Sequence, residues 1–247
     1  IYGSTNSWSA ILNVTPCDPS PSGLVSWWAG EGNAYDQISG NNGTLVGNAT
    51  YGSGEIGRDF VFTGNNGDGV VVGNPAGLQL QNFTIEAWIK RASTSIVSQN
   101  APNGEFFSYG AYGYCFGIWN GQLYLSKLDV DNVMSSSSIT DTNWHHVAVT
   151  KNGSTVVFYI DGTAYNVSPY TSTFVFTTSA AIGTAGDNLQ TSFYGAIDEL
   201  SIYNRALSAT EIQGIYIAGS GGKCFNPTPP TITSQPTRGP NGQRPPG

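Results

Sequence analysis

The chain has 247 residues, a net charge of −7 and only nine Lys and Arg, so it has no basic cluster to neutralise phosphates, which excludes nucleic acid as a partner. No window of roughly 18 apolar residues occurs, which excludes a membrane-spanning helix. With 32 glycines and abundant Ser, Thr, Asn and aromatic residues, the usage is that of many short strands joined by tight turns.

In chain order, Trp8, Ala10, Leu12 and Val14 alternate with polar neighbours in SWSAILNVT as one strand without a nearby partner, and Pro16 to Pro21 follow as a stiff linker. Residues 1–22 are therefore expected to stand apart from the main domain. The opening Ile1-Tyr2-Gly3 has no leader pattern and reads as a mature or excised product. The main domain, residues 23–224, begins at GLVSWW. In the next loop Glu31, Asn33, Asp36, Asn41 and Asn42 are gathered between glycines. Such oxygen donors suit a calcium ion, and the same residues also suit an ordinary Asn-Gly turn.

Strands are then expected around Phe60 to Phe62, at Val70 to Val72 and over FTIEAWIK, where Phe83, Ile85, Ala87 and Ile89 oppose Thr84, Glu86, Trp88 and Lys90. Two-residue hairpin turns are marked by Asn120-Gly121, Asn152-Gly153 and Asp161-Gly162. In GAIDELSIY, strict alternation puts Asp198 on one face with Leu200 and Ile202. A carboxylate in line with core aliphatics needs a cation, an Arg or a fan of backbone N–H groups. Ser208 and Glu211 form a capping box ahead of Ile212, Ile215 and Tyr216, so a short helix follows. The tail, residues 225–247, is Pro- and Gly-rich. The fold expected is all-β: a two-sheet antiparallel sandwich with one short late helix.

Cys17 and Cys224 flank the patterned region, and a bridge between them would tie its ends together in an oxidising compartment, with Cys115 left as a small buried hydrophobe. No CxxC spacing points to zinc. Catalysis has little support. Asp198 and Glu199 point to opposite faces, Asp129 and Asp131 lack a third acid nearby, and His145 and His146 sit in a strand pattern with no nucleophile beside a base. The aromatic stretch from Tyr109 to Tyr124 offers Tyr112, Tyr114 and Trp119 as sugar-stacking candidates, with cross-strand packing as the competing role. Asn13, Asn42, Asn48, Asn82, Asn152 and Asn166 each open an N-glycan acceptor tripeptide.

Five blocks carry a family likeness. GLVSWWAGEGNAYDQISGNNGTL, RDFVFTGNNGDGVVV, FTIEAWIK, NWHHVAVTKNGSTVVFYIDGT and GAIDELSIYNRALSATEI resemble, in order, the laminin-G-like modules of the concanavalin A-like jelly rolls. The resemblance runs from Gly23 to Ala218. It implies a jelly roll with a structural calcium ion where the loop after the first strand meets the start of the last. At those positions stand Glu31, Asp36, Asn41 and Asp198. SWSAILNVT and PPTITSQPT are similar to pieces of the immunoglobulin-like repeats of large bacterial surface proteins. Together these imply an extracellular structural or adhesive module of a bacterial surface or filament protein. Its partners would be neighbouring domains or further copies of itself, joined head-to-tail through the terminal segments. The alternative is a non-catalytic module that carries a larger secreted protein to a polysaccharide.

Overall fold

The structure, a computed structural model, describes residues 18–224. Its strands are β1 (Asp18–Pro19), β2 (Leu24–Trp28), β3 (Thr44–Val46), β4 (Thr50–Tyr51), β5 (Phe60–Thr63), β6 (Gly69–Gly73), β7 (Phe83–Arg91), β8 (Asn103–Tyr109) and β9 (Tyr114–Trp119). They continue with β10 (Gln122–Lys127), β11 (Asp131–Ser138), β12 (Trp144–Asn152), β13 (Thr155–Ile160), β14 (Thr163–Asn166), β15 (Ala180–Ile182) and β16 (Tyr194–Tyr203), then helix α1 (Ala209–Ala218) and β17 (Lys223–Cys224). One sheet runs β11-β10-β9-β8-β15-β6-β3, and the other runs β14-β13-β12-β7-β16-β5-β4, with β2 also paired to β16. Every pairing within these two sheets is antiparallel. This is the expected jelly-roll sandwich with a single α-helix among the described residues. The segment expected as a separate strand, residues 7–15, and the tail, residues 225–247, lie outside the described residues.

The core lies between the sheets and is largely aromatic. Phe83, Ile85, Ala87 and Ile89 of β7 point inward, as their alternation requires, and meet Phe107, Tyr114, Phe116 and Leu125 from the opposite sheet. Trp28 and Phe107 stack at 5.9 Å, and Phe83 and Tyr114 lie 4.6 Å apart. Each fully buried ring contributes about 2 kcal/mol relative to exposure. The hairpins at Asn120-Gly121 and Asp161-Gly162 close as expected, all four residues taking positive φ. The third turn sits one residue later than expected. Asn152 still pairs with Thr155, so Gly153, at φ 57°, and Ser154 form the loop. The Gly153 N–H is held by Asn82 Oδ1 at 2.7 Å, which anchors the turn there.

Strict alternation fails in β16. The register against β7 shifts between Asp198 and Ser201, and Glu199 takes φ 58°. This bulge inserts a residue and reverses the side-chain phase. Leu200 and Ile202 remain in the core, but Asp198 is paired with Trp88 and so faces away from it. The expectation that Asp198 lies in line with the core aliphatics is thereby corrected: it is fully buried on the outer face of the sheet, under the loop of residues 52–58.

That outer face is covered along much of its length. Helix α1 starts at the expected Ser208–Glu211 capping box and lays Ile212 and Ile215 on Ala148, Tyr159, Tyr203 and Leu207. Beside it, Lys223 reaches Glu86 at 3.1 Å and Glu199 at 3.3 Å, while His146 bonds Glu86 at 3.1 Å and Trp27 donates to Glu199 at 3.0 Å. Burial by itself would raise the Glu86 carboxyl, but Lys223 and His146 outweigh it and hold the group below its usual range. Burial also works against the charge on Lys223, yet the two carboxylates keep its pKa above normal. Cys224 is disulfide-bonded and Cys115 is free and buried; Cys17, the partner expected for Cys224, lies outside the described residues.

A buried ion cluster punishes removal of one member far more than it rewards the whole. Lys223→Met should therefore cost about 3–5 kcal/mol in denaturant unfolding. Adding Glu86→Gln should recover part of that loss, whereas an unchanged unfolding midpoint for the single variant would show that the cluster is not what pins the end of the domain.

Candidate functional site

Among the described residues no helix lies over the outer face of the other sheet. Antiparallel pairing of β8, β9 and β10 arranges its outward residues in three rows: Asn103, Trp119 and Gln122; then Glu105, Gly117 and Tyr124; then Ser108, Cys115 and Ser126. Between them Phe107, Phe116, Ile118, Leu123 and Leu125 point into the core. A cleft of about 370 Å³ opens over these rows, walled by residues 128–132 on one side and 185–191 on the other. Gly117 lets the floor pack closely. A Cβ there would stand 3.0 Å from Tyr124 Cε1 and 2.5 Å from the Gly104 carbonyl oxygen.

The floor combines an aromatic platform with polar groups. Trp119 keeps 39 % of its surface in solvent and stands edge-to-face with Tyr124 at 6.3 Å. Tyr124 Oη accepts from Asn103 Nδ2 at 3.3 Å and lies 3.2 Å from Cys115 Sγ. Glu105 is fully buried; its Oε1 accepts from the Thr191 hydroxyl at 2.7 Å, and its Oε2 has no hydrogen-bond partner. Burial pushes this carboxyl up to about 7, Asp187 adds to the rise, and Ser108, Thr191 and Cys115 pull the other way.

The wall that supplies Thr191 is strained. Leu189 and Thr191 both have φ 56°, a left-handed conformation that costs a β-branched residue of order 1–3 kcal/mol. It is held by Gly67 N–H donating to Leu189 O at 2.7 Å and by Thr191 N–H donating to Asn66 Oδ1 at 3.1 Å. The strained segment thus stands directly beside a buried carboxyl with an unpartnered oxygen.

Of the sugar-stacking candidates, only Trp119 lies in the cleft. Tyr114 is a core residue whose hydroxyl donates to Leu78 O at 2.7 Å. Tyr112 is exposed in the turn before β9, at the opposite end of that strand from Trp119. Sequence reasoning did not single out Glu105, Gly117 or Thr191. A signal for the first was available: a lone acid in the aromatic run GEFFSY.

The residues expected to hold calcium do not come together. Asp36 Oδ1 accepts from Trp27 N and Ile38 N, and its Oδ2 accepts from Ser26 Oγ and Asn41 N. These four hydrogen bonds make Asp36 the staple of its own loop. Asn41 gives its carbonyl to Trp28 Nε1 and its amide to Ser26, and Glu31 accepts from Arg58 N. Among the described residues no three His, Cys, Asp or Glu side chains form a group that could hold a metal ion. Of the four, Asp198 keeps a buried oxygen without a partner. Its Oδ2 accepts from Ile56 N at 2.8 Å and its Oδ1 is buried without a partner. A Cβ on Gly54 would meet Asp198 Oδ2 at 2.5 Å and Ile56 O at 2.9 Å, so only glycine lets these oxygens approach. Burial pushes the Asp198 carboxyl up to about 8, with Glu199 and Asp59 adding to it against Ile56 N–H and Lys223.

The two histidines have structural partners. His146 is buried on Glu86, and His145 bridges Asp161 at 2.7 Å and Asp141 at 3.1 Å. Asp131 has its carboxylate on the Tyr170 and Ser172 hydroxyls. Of the glycan acceptor sites, Asn42, Asn48, Asn82, Asn152 and Asn166 are exposed, and Asn13 lies outside the described residues.

A sequence profile of the concanavalin A-like lectin/glucanases superfamily matches residues 63–213, more than half of the chain. No curated protein matches the sequence. Among solved structures, domain 4 of AbnA, a GH43 extracellular arabinanase from Geobacillus stearothermophilus in complex with arabinotriose, superimposes with a TM-score of 0.62 at 20 % identity, over 77 % of this chain and 96 % of that one. The binding domain of Paraclostridial Mosquitocidal Protein 1 gives 0.63 at 16 %, over 78 % and 52 %. The binding domain of botulinum neurotoxin DC in complex with SialylT gives 0.61 at 16 %, over 80 % and 52 %. The chain thus spans nearly all of the arabinanase domain and about half of each toxin structure. At these identities the likeness is one of fold.

The raised Asp198 group has a pH signature. The folded state holds its proton more tightly than the unfolded chain, whose Asp titrates near about 4, so between about pH 4 and 8 the folded state binds more protons and stability falls as pH rises. In EDTA, the melting temperature should drop from pH 5 to pH 8, and Asp198→Asn should flatten that drop. Equal slopes for the two proteins would show that Asp198 ionises normally.

Proposed function

Because the chain belongs to the concanavalin A-like lectin/glucanase superfamily, we propose that it is a non-catalytic saccharide-binding module of an extracellular protein, with its site in the cleft over β8, β9 and β10. The observation that carries this reading is the floor of that cleft. A half-exposed Trp119 lies beside a Tyr124 edge, with hydrogen-bonding groups of Asn103, Glu105 and Gln190 around them. Sugar rings present apolar C–H faces and a fringe of hydroxyls, and such a floor meets both. The arabinotriose bound to domain 4 of the arabinanase supports the same class of ligand. Glycosidases use two carboxylates flanking the bond, whereas among the described residues Glu105 is the one acid of this floor, and of the acids around it Asp131 is committed to hydroxyls and Asp187 to the Ala111 N–H, with Asp129 at the rim.

A module of this kind holds the rest of its protein to a glycan surface, which gives the adhesive role a physical basis. Head-to-tail assembly through the terminal segments draws on residues outside the described ones, and no observation favours it. Calcium has a narrower place than the four-residue set. Asp198, with the Ile56 carbonyl oxygen in the loop that covers it, is the residue that would hold the ion, since a buried carboxylate oxygen without a partner is a hard-cation donor. Bound there, calcium would supply the missing countercharge and lock the loop of residues 52–58 onto the sheet.

Two measurements test these readings. Trp119→Ala should weaken binding to a retained oligosaccharide by about tenfold or more in calorimetry while leaving the melting temperature unchanged; undiminished binding would remove the cleft as the site. Chelation should lower the melting temperature of the wild type at pH 7.5 and not that of Asp198→Asn, and a wild type indifferent to EDTA would remove the ion.

A further inference from the structure

We infer that Glu105 is the specificity-determining residue of this cleft, accepting a hydroxyl of a neutral saccharide at its free oxygen and disfavouring acidic sugars. The inference rests on the saccharide reading above and goes beyond it in naming the ligand class and the discriminating contact. Four observations support it.

The geometry leaves one oxygen for a ligand. Thr191 takes Oε1, and Oε2 has no partner although the side chain is fully buried. Ser108 and Cys115 lie beside the carboxyl without giving Oε2 a hydrogen bond of ordinary geometry; Ser108 Oγ is spent on Tyr109 O. A buried acceptor left unmade costs about 1–3 kcal/mol unless something fills it. Second, Glu105 lines the cleft together with Asn103, Trp119 and Tyr124, and Gly117, paired with both Glu105 and Tyr124, lets the Tyr124 ring lie close against the floor strand. Third, the Thr191 hydroxyl that orients the carboxyl comes from strained backbone, so its placement is held against a local cost.

The fourth observation is the charge around the site. Around Glu105 stand Cys115 of β9 and Tyr124 of β10, both pushed up by burial and therefore neutral, and Asp187 of the 185–191 wall. At the rim are Asp129 and Asp131, with Lys127 as the single cation lining the cleft among the described residues. A uronic or sialic acid carboxylate entering this space would meet like charge with one lysine to offset it, whereas a neutral sugar brings only hydroxyl donors. A hydroxyl that donates to Oε2 favours the ionised carboxyl, and burial has set that ionisation near about 7. Binding should accordingly strengthen as pH rises through neutrality.

The test is calorimetry with arabinotriose, xylotriose, cellotriose and tri-galacturonic acid, on wild type, Glu105→Gln and Trp119→Ala, at pH 6 and pH 8. For the best neutral trisaccharide, the wild type should bind about fivefold more tightly at pH 8 than at pH 6. Glu105→Gln should bind about tenfold more weakly at pH 8, with a flat pH profile. It should melt no lower than wild type at pH 8, because Gln removes a buried charge of the free protein, so any lost binding is not lost folding. If Trp119→Ala abolishes binding but Glu105→Gln keeps the wild-type affinity and pH profile, the cleft stands and the role of Glu105 is overturned. If the acidic trisaccharide binds as well as the neutral ones, the ligand class is overturned. If no trisaccharide binds, or Trp119→Ala binds normally, the saccharide cleft itself falls.

Discussion

Trp28, Phe60, Phe83, Phe107 and Phe116 are packed between two sheets so completely that none has more than a trace of surface in solvent. In a sandwich, that packing decides the fate of every other side chain. A strand has two faces, and once one is committed to the core the other must be covered or left to water. The two sheets resolve this in opposite ways. The β7–β12–β16 face is covered along much of its length by α1, the loop of residues 52–58 and the Lys223 cluster, with an opening near Ser53, Lys90 and Tyr194, whereas among the described residues the β8–β9–β10 face is left open between two loops. Structure sits on the first and the cleft on the second.

The closed face shows how costly groups are tolerated. Glu86, Glu199, His146 and Lys223 are all buried, and the Lys223 ammonium answers both carboxylates while His146 hydrogen-bonds Glu86. Asp198, on the same face, has only the Ile56 N–H and the distant field of Lys223 to set against burial, and its carboxyl is accordingly held protonated well above the normal acid range. On the open face Glu105 is in the same condition, with one oxygen served and one not. The difference is placement: Glu105 lines the open cleft, whereas Asp198 lies under the loop of residues 52–58.

Much of this was legible in the chain itself. Alternation in FTIEAWIK assigned every residue of β7 to its face, Asn120-Gly121 and Asp161-Gly162 marked their hairpins, and Ser208 with Glu211 marked the helix start. These features depend on residues within a few positions of one another, where backbone preference and side-chain period act directly. Only the fold could place Tyr114 in the core and Trp119 at the cleft, because both belong to one aromatic strand and the faces are told apart by what the neighbouring strands present.

The sequence by itself therefore determined the all-β sandwich, two of its hairpin turns and its capped helix. The tertiary structure decided where the chemistry lies. The bulge at Glu199 turned Asp198 to the other side of the sheet, an offset of one residue that alternation cannot foresee. Thr191 meets Glu105 across 86 residues of chain, and Lys223 meets Glu199 from beyond the helix. Such pairings follow from strand register and loop path, which are set by the closing of the whole core and are written in no local pattern.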